Sequence, residues 1–441
     1  MARSPRSARP TASSRRRAPS APASSSSRSS TDRRHAGQAN SASQFCKPSL
    51  PELPPVTTSP ASPYPYRLRL PGPISIPERI RQATARPIIN HRGPEMRVLL
   101  EEIQRLIQPL FGTTAPVLTF GASGTGVMEA SLVNVLAPGE KVLALAHGQF
   151  GDRYAQIARA LGAEVDVIES EWGWAPDPAV VAAKLETANY RAVITVHNES
   201  STGAVTDLAA IGALLRDRET LFLVDSVSGL AGMELLQDEW GVDIIVTGSQ
   251  KALMCPPGLG FASVSDKARK VIERDDRCPR FYLDMRKALA TVDKHETAFT
   301  CPVSLLFGMQ EALRAIHEEG LGQVFARHKR LSDALRAGCV ALGLPAFGDP
   351  AAASRTVVVA SVPEPLTGGA IVKHMYETYN TVIAGARNKL SGRVVRIGTM
   401  GQISEADILT DLHYLELSLT ALGHKVPSPG CGVTAAIASL R

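Results

Sequence analysis

The sequence predicts an α/β protein built on a mainly parallel sheet with helices on both faces. Short apolar runs, each long enough for one buried strand, alternate with helical periodicity from residue 117 to residue 264. This alternation is typical of βαβ units. Two of the runs end in charged residues, since LFLV leads into Asp225 and IIVTGS leads into Gln250 and Lys251. Ligands bind at the carboxyl ends of strands in such sheets, so we expect the functional site there.

The predicted elements follow in chain order. Apolar residues at helical spacing predict a first helix over residues 97–111. Strands are predicted at 117–120, 141–146, 165–169 and 192–197, then in the apolar runs between 221 and 264, and helices at 152–161, 178–187 and 207–215. Residues 280–286 and 295–300 are predicted to be loops. One helix is predicted to start at residue 302 and another to span residues 321–342. The C-terminal part has strands at 356–362 and 394–399 and helices at 369–379 and 405–422.

This pattern predicts two domains and two tails. The large domain is expected at residues 70–310 and a smaller C-terminal α/β domain at 311–425, followed by a flexible tail at 426–441. Residues 1–69 form a basic Ser/Arg/Pro-rich tail, because residues 1–70 hold twelve Lys or Arg and two acids. Too few apolar residues are present there to offset the entropy of ordering, so we predict disorder. The same composition fits a transit peptide, which leaves cytoplasmic and mitochondrial locations both open.

Composition excludes several classes of protein. The chain has 441 residues, 44% hydrophobic and 20% charged, which is ordinary for a soluble globular protein. No apolar run reaches 18 residues, so we predict no membrane span. The six cysteines form no CxxC pair, so we expect neither a disulfide framework nor a metal site. The net charge of +6 comes from the tail, and the mildly acidic remainder gives no reason to expect nucleic-acid binding.

A glycine- and hydroxyl-rich turn, GASGTG, lies between the strand at 117–120 and a helix. It places Ser123, Gly124 and Thr125 at a helix N-terminus, where a phosphate is a common ligand. The same letters resemble the glycine loop of short-chain dehydrogenases. Those enzymes use a Tyr-x-x-x-Lys pair, and no tyrosine of this chain has a lysine four residues later.

Asp225 and Lys251 suit one chemistry well. A lysine can form a Schiff base with an aldehyde cofactor, and an acid can keep a pyridinium nitrogen charged. An isolated pair of this kind is more often a buried ion pair or a solvated lysine. A further interpretation is a non-catalytic protein that has kept the fold. The presence of Asp225, Lys251 and Arg396 argues against it.

Taken together, several motifs resemble those of the class V (fold-type I) pyridoxal-phosphate-dependent aminotransferases, and most closely the alanine/serine–glyoxylate aminotransferases. They are LPGPISIP, HRGPEM, SGTG-x-x-EASLVNVLAPG, HNESSTG, LVDSVSGL, TGSQKAL-x-x-PPG and RIGTMG, within residues 71–422. The resemblance implies a seven-stranded sheet, pyridoxal 5′-phosphate as cofactor and a homodimer with shared active sites. It also implies amino acid and 2-oxo acid substrates, with serine or alanine as donor and glyoxylate as acceptor; ureidoglycine and aminoethylphosphonate are alternatives. Cysteine desulfurases share the fold, but neither Cys339 nor Cys431 fits their catalytic cysteine.

The resemblance also implies a role for each matching residue. Lys251 and Asp225 would be the catalytic pair, Lys251 holding the cofactor and moving the proton, Asp225 facing the pyridinium nitrogen. The other expected contacts are Ser123, Gly124, Thr125 and Gln250 at the phosphate, Phe150 on the ring, Ser200 near the 3′-oxygen, Thr300 at the phosphate in the other subunit, and Arg396 at the substrate carboxylate. The sequence departs from many members at two of these positions, with Thr125 for histidine and Phe150 for tryptophan, and also has Thr297 where many members have tyrosine.

Overall fold

The computed structural model describes residues 66–274 and 277–441. Its helices are α1 (Glu78–Thr84), α2 (Pro94–Phe111), α3 (Gly124–Val133), α4 (Gln149–Ala160), α5 (Pro178–Leu185), α6 (Leu208–Leu215), α7 (Gln237–Trp240), α8 (Asp266–Arg274), α9 (Met285–Val292), α10 (Val303–Glu319), α11 (Leu321–Ala341), α12 (Gly368–Tyr379), α13 (Glu405–Ala421) and α14 (Cys431–Leu440). Its strands are β1 (Arg67–Leu68), β2 (Val117–Phe120), β3 (Lys141–Ala146), β4 (Glu164–Glu169), β5 (Ala192–Val196), β6 (Asn198–Glu199), β7 (Ala204–Val205), β8 (Leu221–Asp225), β9 (Ile244–Gly248), β10 (Gly260–Val264), β11 (Val357–Ser361), β12 (Thr381–Val382), β13 (Ala384–Gly385) and β14 (Val394–Gly398).

The central sheet has seven strands in the order β2-β10-β9-β8-β5-β3-β4. Every strand runs parallel to its neighbours except β10, which is antiparallel to both β2 and β9. The predicted mainly parallel, seven-stranded sheet is therefore confirmed. Because β8 and β9 are adjacent and parallel, their carboxyl ends meet at one edge of the sheet.

Both faces of the sheet are covered by helices. Leu143 and Leu145 of β3 pack into a core shared with α2 and α10, whereas Val142 and Ala144 of the same strand face a core formed with α3 and α4. Side chains of a strand alternate between faces, so a run that is apolar throughout is buried on both sides. This burial explains why the strands read as continuous apolar runs.

A smaller core lies in the C-terminal part, where β11, β14 and β13 form a three-stranded sheet packed by α11, α12, α13 and α14. Two predicted bounds need correction. The boundary at residues 310 and 311 falls inside α10, whose Leu313 and Ile316 belong to the large core. The tail predicted to be flexible contains α14, which packs on α11 and fully buries Ala436. Its small side chains gave only a weak helical signal, yet they allow close packing.

Ordered structure also begins earlier than residue 70. Strand β1 pairs in parallel with β12. Arg67 and Arg69 both bind the buried carboxylate of Asp411, with Nη2–Oδ1 and Nε–Oδ2 distances of 2.8 and 2.7 Å. The prediction of disorder for residues 1–65 lies outside the described residues.

Five helices were missing from the predicted elements, namely α1, α7, α8, α9 and α14. Helix α8 follows β10, and α9 begins inside the stretch predicted as loop, where Asp284 caps it by accepting the N–H of Arg286. Helices α8 and α9 are amphipathic but only nine and eight residues long, too short for the periodic pattern to stand out. In residues 66–274 and 277–441, no helix has the length and apolar character needed to cross a membrane.

Candidate active site

A cavity of about 210 Å³ opens where β8 and β9 end, beside the N-terminus of α3. Eight of the ten predicted site residues line it: Ser123, Gly124, Thr125, Phe150, Ser200, Asp225, Gln250 and Lys251. Arg396 and Thr300 are not part of the lining. The structure thus brings together residues that are up to 128 positions apart in the chain.

Lys251 follows β9 by three residues and is only 9% exposed. Its Nζ donates a hydrogen bond to the carbonyl oxygen of Pro71. Burial lowers the pKa of Lys251 to about 8, and the carboxylate of Asp225 opposes this shift. A lysine with such a pKa is partly neutral near physiological pH and can act as a nucleophile or base.

Gly72 packs directly against this lysine. A Cβ atom at position 72 would overlap the Lys251 side chain, and the backbone there has φ +105°, which favours glycine. The glycine of the PGP motif therefore allows the N-terminal segment to cross closely over Lys251.

Asp225 ends β8 and is 3% exposed. Its Oδ1 accepts the backbone N–H of Val227 at 2.8 Å. Burial raises the pKa of Asp225 to about 7, because the ionised form loses hydration that one backbone hydrogen bond does not replace. A cation placed against the carboxylate would lower the pKa again and keep the group ionised.

The N-terminus of α3 forms the anion-binding end of the cavity. Ser123 is the N-cap, and its Oγ accepts the N–H of Gly126 at 3.1 Å. The first N–H groups of a helix lack intrahelical partners and carry partial positive charge, so they favour an anion. Gly124 has to be small, since a Cβ there would lie 2.9 Å from Cγ2 of Val227. This contact keeps the helix N-terminus close to the strand end that carries Asp225.

Phe150 is held at the cavity wall by a buried carboxylate. Glu199 is completely buried, and its Oε2 accepts the N–H groups of Phe150 and Gly151 at 2.9 and 3.0 Å. Its Oε1 accepts the hydroxyl of Ser201 at 2.6 Å. Glu199 thus caps the N-terminus of α4 from β6 and sets the position of the aromatic ring.

Arg396 lies in β14, next to the cavity. Its Nη1 donates to the carbonyl oxygen of Ser200 at 2.9 Å, and its Nε and Nη2 donate to that of Gly385 at 2.9 and 2.8 Å. Burial lowers the pKa of Arg396. Within the described ranges, no carboxylate lies at ion-pair distance from it. Thr300 is exposed, and its expected role in the other subunit stays a prediction.

Sequence reasoning missed several residues of the lining, among them Gly72, Pro73, Arg153, Asn198 and Ser228. Gly72 and Asn198 lie in the motifs LPGPISIP and HNESSTG, so the motifs could have indicated both residues. Arg153 lies within helix α4 and gave none. Oδ1 of Asn198 and Oε1 of Gln250 are buried with no hydrogen-bond partner in the described part of the chain. Such atoms are costly unless a ligand satisfies them.

The buried His197 does not line this cavity. Its Nδ1 lies 2.9 Å from Oγ of Ser226, and burial lowers its pKa to about 4. It is therefore neutral and serves as a hydrogen-bonding residue of the strand ends.

Comparison with known proteins identifies the family. The sequence family described as Aminotransferase class-V matches residues 80–387, which is well over half of the chain.

The chain belongs to the class V aminotransferases.

Similar proteins span nearly the whole described region. This class V aminotransferase is 36% identical over 373 residues to the soluble hydrogenase 42 kDa subunit of Anabaena cylindrica, covering 84% of this chain and 97% of that one. It is 36% identical over 385 residues to a serine–glyoxylate aminotransferase of Methylorubrum extorquens, covering 85% and 96%. The solved ureidoglycine–glyoxylate aminotransferase of Bacillus subtilis has a TM-score of 0.81 at 29% identity, covering 85% and 97%.

Family membership implies pyridoxal phosphate as cofactor, and the cavity fits this group. The α3 N-terminus and its hydroxyls suit a phosphate, buried Asp225 suits a protonated ring nitrogen, and Lys251 suits an aldehyde. The unpartnered oxygens of Asn198 and Gln250 lie in the same lining and would gain partners on binding. This class V aminotransferase therefore has the donors and acceptors that its cofactor needs.

Proposed function

We propose that the enzyme transfers the amino group of a small amino acid, serine or alanine, to glyoxylate, giving glycine and a 2-oxo acid. The observation that carries this proposal is the shared acceptor of two relatives. The serine–glyoxylate and ureidoglycine–glyoxylate aminotransferases differ in donor, but both act on glyoxylate. Serine and alanine are proposed as donors because the similar proteins include a serine–glyoxylate and an alanine–glyoxylate aminotransferase.

In this proposal Lys251 holds the cofactor and moves the proton. When bound, pyridoxal phosphate supplies an aldehyde and a ring that accepts the electron pair released at the substrate Cα. With a pKa of about 8, Lys251 exchanges a proton readily near neutral pH. Its Nζ, which the Pro71 carbonyl orients, would take the proton from Cα and return it at the neighbouring carbon of the cofactor.

Asp225 would face the ring nitrogen and keep it protonated. Its buried carboxyl gains a cationic partner by doing so, which removes the cost of an unpaired buried charge. Ser123, Gly124, Thr125 and Gln250 would hold the phosphate, and Phe150 would stack on the ring. Ser200, which lines the cavity, would lie near the 3′-oxygen.

Arg396 would bind the carboxylate shared by the amino acid and glyoxylate. Its planar guanidinium forms paired hydrogen bonds with carboxylates, and no acid of the described ranges occupies it. The carbonyls of Ser200 and Gly385 hold it in place beside the cavity.

A second candidate donor is ureidoglycine, favoured by the high structural similarity to the Bacillus subtilis enzyme. Aminoethylphosphonate remains a third, but it lacks a carboxylate for Arg396.

We also propose a homodimer in which Thr300 reaches the cofactor phosphate of the other subunit. Three aromatic residues next to Thr300 support this. Phe281 is 71% exposed, and Phe299 stacks on the half-exposed Tyr282 with ring centroids 5.2 Å apart. Exposed apolar clusters of this kind commonly mark protein–protein interfaces.

The test is an absorbance titration of the purified protein. Pyridoxal phosphate is added first, then serine, alanine or ureidoglycine in separate samples, and then glyoxylate. We expect the band of lysine-bound cofactor to form, to convert to a pyridoxamine-like band with serine or alanine, and to return with glyoxylate. In Lys251→Ala the first band should be absent.

Two results would contradict the proposal. If ureidoglycine converts the band and neither serine nor alanine does, the donor assignment is wrong. If the cofactor band forms but glyoxylate does not restore it while pyruvate or 2-oxoglutarate does, the acceptor assignment is wrong.

A further inference from the structure

Arg153 is a cation of the cavity wall with no role in the account above. It lies in the first turn and a half of α4, three residues after Phe150. Its guanidinium carbon lies 4.7 Å from the centre of the Phe150 ring, and its Nη1 donates to Oγ1 of Thr125 at 3.1 Å. The second contact fixes the guanidinium beside the N-terminus of α3.

This arrangement lacks an anion. Among the described residues, the Arg153 guanidinium makes a single hydrogen bond, the one to Thr125. No carboxylate of these residues lies at ion-pair distance from it. A guanidinium has five N–H donors, so most of them remain available. The cation also faces the positive end of the α3 dipole, an unfavourable arrangement unless a negative group lies between them.

A second feature of the same cavity points to a missing ligand. Asn198 is 1% exposed, and its Oδ1 is buried without a hydrogen-bond partner in the described chain. Arg153 and Asn198 both line the cavity. The cavity therefore has both an unneutralised cation and an unsatisfied acceptor, which suits an anionic ligand that also carries a donor.

We propose that Arg153 binds the phosphate group of the cofactor, in addition to the α3 N-terminus. The inference rests on the cofactor named in the proposed function, but not on its donor or acceptor. Thr125 connects Arg153 to the phosphate end, whereas Arg396 reaches the cavity by way of Ser200.

The experiment compares Arg153→Gln and Arg153→Lys with the wild type and with Arg159→Gln. Arg159 is an exposed arginine in the last turn of the same helix, so its substitution removes the same charge far from the cavity. For each protein, absorbance titration gives the Kd of pyridoxal phosphate and of pyridoxal, which lacks the phosphate. The ability of inorganic phosphate to improve pyridoxal binding is measured in parallel.

We expect Arg153→Gln to raise the Kd of pyridoxal phosphate about tenfold or more, since hydrogen bonds between charged groups are the stronger ones. The Kd of pyridoxal should stay within about twofold of the wild type by the same reasoning, and the effect of inorganic phosphate should be lost. Arg153→Lys should fall between the two, and Arg159→Gln should match the wild type.

Three results would overturn the inference. The first is an unchanged Kd for pyridoxal phosphate in Arg153→Gln. The second is an equal loss for pyridoxal phosphate and pyridoxal, which would mean that Arg153 supports the Phe150 ring and not the phosphate. The third is a normal Kd with a raised KM for a dicarboxylic donor only, which would place Arg153 at the substrate. If the wild type forms no cofactor band, the proposed function fails instead.

Discussion

Asp225 and Lys251 are buried charges whose protonation depends on what binds between them. Without cofactor, burial raises the pKa of Asp225 to about 7 and lowers that of Lys251 to about 8. Each group thus approaches its neutral form when it has no ligand. Under the proposed function, a cationic ring bound against Asp225 would reverse the pKa shift of that carboxyl and favour its ionised form.

The raised pKa of Asp225 predicts how stability depends on pH in the cofactor-free protein. Between the ordinary pKa of 3.8 and about 7, the folded protein holds a proton that the unfolded chain has released, so stability falls as the pH rises through that range. Asp225→Asn removes this loss. Its melting temperature without cofactor should exceed that of the wild type at about pH 8 and match it at about pH 4, as thermal denaturation would show.

The same variant should be a poor enzyme when cofactor is present. Removing one partner of a buried charge pair costs roughly 3–5 kcal/mol, so we expect kcat to fall by about a hundredfold to several thousandfold. Asp217→Asn, which changes an exposed acid far from the cavity lining, is the control and should change neither property. A variant less stable than the wild type at about pH 8 would show that the Asp225 carboxylate has a partner in the protein itself.

Arg396 gives a prediction about substrate affinity. Arg396→Lys keeps the charge but loses the planar pair of donors, so the KM for glyoxylate should rise about tenfold with a smaller change in kcat. Arg387→Gln is the matched control, because Arg387 is exposed and influences the pKa of Arg396 only through space. Steady-state kinetics with both substrates varied would measure the split. Equal KM values in wild type and Arg396→Lys would place the carboxylate elsewhere.

At the scale of single elements, the cap of α4 is the part on which the cavity wall most depends. Glu199 on β6 accepts two N–H groups at the start of α4 and one hydroxyl. Glu199→Gln loses the charge and leaves some of these donors poorly satisfied. We expect the free energy of unfolding to fall by about 1–3 kcal/mol and cofactor affinity to fall with it.

Urea denaturation of the cofactor-free protein checks the first effect, and cofactor titration checks the second. Glu164→Gln on the neighbouring edge strand β4 is exposed and serves as the comparison. If both variants unfold at the same urea concentration as the wild type, the carboxylate contributes nothing beyond what an amide supplies.

The contact of β1 with α13 is the second element-scale prediction. Asp411 is fully buried and binds both Arg67 and Arg69. Asp411→Asn leaves both guanidinium groups with the partly exposed Asp407 as their remaining carboxylate, so a loss of about 1–3 kcal/mol is expected. Asp333→Asn breaks pairs whose acid is 40% exposed and should cost about 1 kcal/mol or less. Equal denaturation curves for the two variants would contradict this ranking.

At the scale of the whole molecule, the dimer proposal predicts the mass in solution. Sedimentation of the wild type should give twice the chain mass of 47.0 kDa. Phe281→Asp places a charge in the exposed aromatic cluster and should shift the protein toward monomer. Trp174→Asp changes another exposed aromatic residue, 46% exposed, and should leave the mass unchanged. If the wild type sediments as a monomer, the proposed contact of Thr300 with the cofactor of the other subunit is wrong.

Much of the fold and half of the residues that line the cavity could be predicted from the sequence. Continuous apolar runs ending in Asp225 and Lys251 located the strand ends, because parallel strands buried on both faces have few alternative patterns. Arg153 and Asn198 could not be assigned, since their importance comes from neighbours across the cavity. Helix α14 was missed because its stability depends on packing against α11, which a local pattern does not contain.

The close passage of the Pro71 carbonyl over Lys251 has a consequence for proteolytic trimming of the N-terminus. Strand β1 anchors this passage to the C-terminal part through Thr381 and Asp411. A protease that cut before residue 66 would leave the anchor intact, whereas a cut after Leu70 would detach β1 from Pro71, whose carbonyl accepts the hydrogen bond of Lys251. The position of the cut would therefore decide whether the trimmed protein keeps or loses its activity.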